Sequence, residues 1–280
     1  MKQIAVGVNG TGGSLAAVDW AVREAASRGA ALQLVNASLW QEHQVAAVRR
    51  PRDVMAELAR DILEQARDRA RTAHPEVETS VEETVDAPSR LLLARARYAE
   101  LLVLGSHRTA DGSGFLSGHV AQEVLAAAER PVVLVREDHG ADATGPVVVG
   151  LDVERPADEV LDFAFDFAAR RELPLRIVSA WHSVFPHHHT DSDVSEARDR
   201  MRAAVSAAVS RHRTRHAHLD ISEDVVHERP AHALLAAASD AGLLVVGRRV
   251  RHAPTGTRIG ATTQTALHHA ACPVAVVSHA

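Results

Sequence analysis

Leu102-Val103-Leu104-Gly105 is followed thirteen residues later by Gly118, and then by Glu129-Arg130-Pro131-Val132-Val133-Leu134-Val135. Leu244-Val245-Val246-Gly247 is likewise followed thirteen residues later by Gly260, and then by Ala271-Cys272-Pro273-Val274-Ala275-Val276-Val277. Working outward, Ile4-Ala5-Val6-Gly7-Val8-Asn9 at the front matches Val147-Val148-Val149-Gly150-Leu151-Asp152 in the middle. The copies are offset by 143 residues at their starts and by 142 at the glycine pair. Such a small slip over such a distance marks a tandem duplication of a globular domain, each copy within the usual size range of about 100–150 residues. It is far longer than the period of tens of residues that builds a solenoid. The expected domains are residues 1–138 and 145–280, joined by a short polar linker punctuated by Gly140 and Gly145.

Each copy alternates short apolar runs with segments of helical periodicity. Gln3 to Val8 reads as a strand, ended by the turn signal Asn9-Gly10-Thr11-Gly12-Gly13. Ser14 can cap a helix that Leu15, Val18, Val22 and Ala25 carry until Gly29 stops it. Strands at Ala31 to Leu39, Val77 to Thr84, Leu101 to Leu104 and Val132 to Val135 follow. Helices at Asp53 to Ala73, Pro88 to Arg97 and His119 to Ala128 separate them. The second copy repeats the order, with helices at Pro156 to Arg170, at Ser192 to Arg215, after Pro230 and from Gly260. Its later strands fall at Leu175 to Trp181, Leu219 to Val226, Leu243 to Val246 and Val274 to Val277. Nearly continuous apolar strands alternating with helices define an α/β fold with a parallel sheet covered on both faces. Residues 41–51 and 182–191 occupy equivalent places and read as loops.

The 31 basic and 36 acidic residues give a formal net charge of −5 without a long basic run, which argues against nucleic acid as a partner. Lys2 is the only lysine. A single cysteine, Cys272, excludes an intrachain disulfide and reads as a buried thiol suited to a reducing compartment. No apolar run reaches membrane-spanning length and no basic start leads into an apolar leader, so no membrane partner and a cytoplasmic location are expected.

In open α/β sheets ligands bind beyond the carboxyl ends of the strands, where strand order reverses. Those ends are Asn9 to Gly13 and the glycine-rich stretch Gly105, Gly112, Gly114, Gly118. Gly118 directly precedes a helix whose free N–H groups favour an anion. No Gly-Lys-Ser/Thr occurs, so the stretch is not a Walker A loop, and Leu15 breaks a GxGxxG.

On these residues both copies resemble universal stress protein domains, and the whole chain resembles the tandem type found in actinobacteria. The resemblance rests on the first strand ending in Gly-x-Asp/Asn, the late Leu-Leu-Val-Leu-Gly strand, the glycine motif, and the helix leading into Arg/Cys-Pro-Val. It implies two doubly wound domains, each a five-stranded parallel sheet of order 3-2-1-4-5. It also implies, in the family's ATP-binding branch, a nucleotide held by Gly-x2-Gly-x9-Gly-Ser/Thr. The frame is present and the filling is altered. In the first copy Gly105 and Gly118 stand at the outer glycines, Arg108 at the second glycine, His119 at the Ser/Thr, and Asn9 where an adenine-contacting Asp is usual. Gly10, Ala37 and Val120 complete the positions that the resemblance gives to the nucleotide. In the second copy, ranked below the first, the corresponding residues are Asp152, Ala180, Gly247, Gly260 and Ala261, with Val250 at the second glycine and Thr262 one place late. Arg108 and His119 could supply positive charge to phosphate, or the Arg108 side chain could fill the slot.

The remaining candidates have ordinary readings. His187-His188-His189 and His182 lie in a loop that preorganises no metal site. His212 and His216 are one helical turn apart and read as surface residues among Arg211, Arg213 and Arg215. His268-His269 read as a helix end, where imidazolium favours the dipole. Arg248, Arg249, Arg251 and Arg258 read as a solvated arginine-rich loop or an anion-recruiting one. Asp19 and Glu24 read as solvated helix charges. No Gly-x-Ser-x-Gly elbow or His-Glu-x-x-His motif occurs, so no enzyme is expected beyond slow ATP hydrolysis. Two functions remain open. The first is a stress-response protein binding ATP or a related adenine nucleotide, with or without magnesium. The second is a nucleotide-free interaction module. The resemblance adds pairing through the last strands, Val132 to Val135 and Val274 to Val277, as an internal pseudo-dimer or a homodimer.

Overall fold

A computed structural model describes residues 2–37, 52–108, 115–116, 118–137, 144–182, 191–250 and 259–280. The chain divides into two compact units, Met1–Asp142 and Ala143–Ala280. The loops expected at 41–51 and 182–191 fall outside the described residues, apart from His182 and Asp191 at the margins, as do Gly112, Gly114, Gly140 and His187 to His189.

Unit one runs β1 (Gln3–Gly7), α1 (Gly12–Arg28), β2 (Ala31–Ala37), α2 (Arg52–Ala73), β3 (Thr79–Thr84), α3 (Pro88–Ala96) and β4 (Leu101–Arg108). The short β5 (Phe115–Leu116), α4 (His119–Ala127) and β6 (Val132–Arg136) follow. Its parallel strands lie in the order β3-β2-β1-β4-β6, the 3-2-1-4-5 order expected. β1 and β2 pair Ile4 with Leu32, and β4 and β6 pair Leu102 with Val132. Helices α1 and α2 cover one face and α3 and α4 the other. Burial on both sides explains why Leu101 to Leu104 and Val132 to Val135 carry apolar side chains without alternation.

The boundaries hold small surprises. Thr11, not Ser14, caps α1: its side chain accepts from Ser14 N at 3.3 Å. Ser14 lies in the first turn, with its hydroxyl donating to Thr11 O. Glycines 12 and 13 allow the helix to start early, and Gly29 stops it at φ 58° as expected. β4 runs four residues past Leu104, because its ladder with β6 continues through Gly105–Val135 and Ser106–Arg136. Beyond them His107 and Arg108 pair antiparallel with Leu116 and Phe115, a hairpin the sequence reading lacks. Glu24 is not solvated. Its side chain is 1% exposed and accepts from Arg28 Nε at 2.6 Å, one turn away. Asp19 binds Arg69 of α2 in a two-pronged contact at 2.5 and 2.6 Å, tying the two helices and raising the arginine's pKa.

Unit two runs β7 (Val147–Gly150), α5 (Asp158–Arg171), β8 (Leu175–Trp181), α6 (Asp191–Arg215), β9 (Ile221–His227), α7 (Pro230–Ala237), β10 (Leu243–Arg249), α8 (Ala261–His269) and β11 (Val274–His279). The order β9-β8-β7-β10-β11 repeats that of unit one. α5 and α6 cover one face, α7 and α8 the other. α5 starts at Asp158, later than expected, since Arg155-Pro156 stands where unit one has Gly12-Gly13. His212 and His216 overturn their surface reading. His212 is 1% exposed, and both rings lie against Phe165 of α5, at 5.2 and 5.7 Å. Their turn of α6 faces the neighbouring helix, while Arg211, Arg213 and Arg215 face outward. Burial lowers the pKa of His216, with Asp166 acting against the shift. Cys272 is buried, and His268 and His269 close α8.

Candidate functional site

In each unit the two halves of the sheet are wound in opposite directions from the first strand and its late neighbour, so a crevice opens at their carboxyl ends. In unit one this is between β1 and β4. Asn9 leaves β1, and its Oδ1 accepts from Thr11 N at 3.2 Å and Thr11 Oγ1 at 2.7 Å. The tight turn that results holds Gly10 at φ 79°, a left-handed conformation for which glycine suits best. It also brings the first turn of α1 onto β4. A Cβ on Gly13 would stand 2.8 Å from the Ser106 carbonyl oxygen, and one on Gly105 would overlap the Gly13 backbone. The first glycine of the motif therefore has a packing reason: the helix sits directly on its strand.

Gly118 is different. It is exposed, it precedes α4 without a side-chain cap, and a Cβ there would meet nothing within 4 Å. The leading N–H groups of α4 have no side-chain cap among the described residues. His119 is 83% exposed, with Nδ1 3.5 Å from Glu123 of the same helix. Val120 is half-buried behind it, and Ala37 is buried at the end of β2. Arg108 is the last residue of β4, not a loop residue, and most of the stretch from Arg108 to Gly118 lies outside the described residues. Thus Asn9, Gly10 and Gly105 share one corner of unit one through α1, while Gly118, His119 and Val120 form the start of α4.

Unit two keeps the outline and changes the chemistry. Asp152 is exposed and accepts from Glu154 N at 3.1 Å, a turn like that of Asn9. Gly247 meets side chains, not backbone: a Cβ there would lie 3.0 Å from His279 and 3.3 Å from Val160. Ala180 lies on β8 and Val250 just beyond β10, whereas Arg251 and Arg258 lie outside the described residues. Gly260 caps α8 in open space like Gly118. Ala261 is exposed and Thr262 half-buried. The first turn of α5 carries Asp158 and Glu159, whereas the first turn of α1 carries no acidic residue. Arg248 and Ser278 pair in register on β10 and β11, while unit one has Ser106 opposite Arg136. The serine and arginine have exchanged strands. Both arginines are buried, so Arg248 is not part of a solvated loop.

Three residues at these strand ends escaped the sequence reading. Asn36 is fully buried, donates from Nδ2 to Val8 O at 2.7 Å, and has no partner for Oδ1 among the described residues. Its signal was an amide inside an apolar strand. Thr263, one place beyond Thr262, donates to Gly247 O at 3.0 Å and fixes α8 on β10. Trp181 stacks on His227 at 4.1 Å at the ends of β8 and β9; an aromatic ending a strand is conspicuous in a chain with 3% aromatics. Among the described residues no group of three or more His, Cys, Asp or Glu could hold a metal ion, and no helix is long and apolar enough to cross a membrane.

Comparison with known proteins agrees with this architecture. Universal stress protein Rv2623 of Mycobacterium tuberculosis is 28% identical over 286 residues, covering 98% of this chain and 95% of the relative. Universal stress protein Rv2005c of the same organism is 26% identical over 293 residues, covering 98% and 96%. The fold matches a universal stress protein from Archaeoglobus fulgidus with a TM-score of 0.74 at 16% identity, covering 99% of this chain and 98% of that one. The family model for universal stress proteins matches twice, over residues 1–136 and 144–278. The chain belongs to the universal stress protein family, with the family's domain present in tandem.

Proposed function

We propose that unit one binds an adenine nucleotide, ATP with or without magnesium, and that the protein uses it as a ligand and not as a substrate for turnover. The observation that carries this reading is the contrast between the two crevices. In unit one, α1 begins against β4, neither α1 nor α4 has an acidic residue in its own first turn, and Gly118 stands open. The uncapped start of α4 favours a polyphosphate, while at the start of α1 the Glu137 carboxylate lies against Gly12 and has to swing away to admit one. In unit two, Asp158 and Glu159 occupy the first turn of α5 and oppose it. Adenine would lie by Asn9, whose amide oxygen already accepts from both Thr11 N and the Thr11 hydroxyl, so the hydroxyl turns away when that oxygen accepts an exocyclic amine. A ligand of this kind changes partner affinity only as far as it prefers one conformation.

The test is calorimetric titration of nucleotide-stripped protein with Mg-ATP. Gly118→Asp adds a carboxylate in open space, so the fold should survive while binding is lost. Gly260→Asp makes the same change in unit two and should leave binding unaltered. Equal binding by the Gly118→Asp protein would sink the assignment, and loss only in Gly260→Asp would move the site to unit two. Absence of heat with the unsubstituted chain would favour the interaction module. Self-association through β6 or β11 as a homodimer is read separately, by sedimentation velocity.

A further inference from the structure

The duplication offers an internal comparison, and the two copies differ most usefully on the α3/α7 side of the sheet, away from the crevice. In unit one, Arg95 of α3 lies across β3 and binds the Glu82 carboxylate with Nε at 2.5 Å and with Nη2. Gln33 of β2 donates to the same carboxylate at 2.8 Å, and Leu91, one turn before Arg95, is buried alongside. α7 starts at Pro230 as α3 starts at Pro88, so Ala233 and Ala237 occupy the positions of Leu91 and Arg95. Both large side chains are gone. The strand ladders likewise place Arg176 where Gln33 stands and Asp224 where Glu82 stands.

The missing volume persists as a cavity of about 420 Å³ walled by Val178, Val226, Ala233 and Ala237. Its carboxylate is half exposed and only loosely paired. Among the described residues Asp224 has one partner, Arg176, at 3.8 Å. That arginine is drawn away to Asp240 at 3.7 Å and to the Ala237 carbonyl at 3.4 Å. Glu228 stands on the rim and adds a third carboxylate, 3.8 Å from His232. With two carboxylates, Asp224 and Glu228, lining it and its one arginine shared with Asp240 outside, the pocket is set to accept a second cation, and its walls are set to accept an apolar stem.

We propose that this cavity binds an alkylguanidinium, a planar cation on a short hydrocarbon stem. The stem lies between α7 and the valines, and the guanidinium forms with Asp224 the forked pair that Arg95 forms with Glu82 in unit one. The same chemistry can come from a small free molecule or from an arginine side chain of a partner segment.

The test uses n-propylguanidinium as probe, with methyl and amide resonances of the whole chain followed by NMR. Saturable shifts at Val178, Val226, Ala233 and Ala237, with a dissociation constant of about 1 mM or below, are expected. Guanidinium without a stem should bind at least about tenfold more weakly. Ala237→Arg supplies the group that unit one already carries, and should abolish binding. Should that chain fail to fold, Asp224→Asn, at an exposed strand position, must weaken binding by about tenfold or more. N-acetylarginine amide run in parallel separates the sources: tighter binding of the amide assigns the site to a protein arginine, tighter binding of the free cation to a small molecule. No saturable shift, or shifts unchanged in a folded Ala237→Arg or Asp224→Asn chain, overturns the proposal.

Discussion

Alanine at Gly105 should unfold unit one far more readily than alanine at Gly118, although both are glycines of the same motif. At Gly105 the added Cβ overlaps the carbonyl carbon and oxygen of Gly13 and the nitrogen of Ser14. All three are backbone atoms, so no rotamer change relieves the clash. Relief requires α1 to lift from β4, and α1 carries Ala17, Val18, Ala21, Val22 and Ala25, all fully buried. Overpacking of a well-filled site costs about 1–3 kcal/mol, and a rigid backbone contact belongs at the upper end. For a domain of this size, about 3 kcal/mol corresponds to a fall in melting temperature on the order of 10 °C. At Gly118 the Cβ meets nothing, and a φ of −45° suits any residue, so the melting temperature should hold within about 2 °C. Differential scanning calorimetry of both variants reads the contrast. A Gly105→Ala protein melting with the unsubstituted chain would refute the claim that this glycine is kept by helix-on-strand packing.

Three further outcomes are expected. Arg95→Ala should vacate the space beside Glu82 that the arginine fills, with Leu91 still in place, lowering stability by about 1–2 kcal/mol, a figure reduced for the partial exposure of the pair; addition of n-propylguanidinium should restore part of the lost melting temperature. Glu24→Gln removes the charge that faces Arg28 at 2.6 Å but leaves an amide oxygen there and Glu100 at 3.4 Å, and should cost about 1–2 kcal/mol in urea titrations. His216 has a pKa lowered by burial, so the unfolded chain takes up a proton before the folded one does. Its contribution to stability is therefore full above the unfolded pKa of about 6.5 and declines as pH falls below it. His216→Phe, which keeps the packing on Phe165, should flatten the fall in melting temperature between about pH 7 and pH 5. An unchanged slope would show that other groups govern the acid limb.

The linear order of this protein was legible because duplication writes each signal twice. Apolar runs buried on both faces, the Gly29 stop, and prolines 88 and 230 at helix starts are local features, and they give element type and order without tertiary help. The strand order came from the resemblance, and the structure agrees with it. Part of the crevice was legible too, since Gly10 and Gly118 signal a turn and an uncapped helix. Three dimensions were needed wherever meaning depended on a neighbour distant in sequence. Glu24, His212 and Arg248 look solvated along the chain and are buried in the fold, because helix faces and strand ends acquire their surroundings only on packing. Gly105 reads as a ligand glycine until Gly13 is seen against it. Ala233 and Ala237 are unremarkable as letters, and become a cavity only when the sheet beneath them is compared with the one beneath Leu91 and Arg95. The sequence alone determined periodicity and punctuation, which act over a few residues. Tertiary structure decided burial, partners and empty space, because these are properties of surfaces that the chain brings together from far apart.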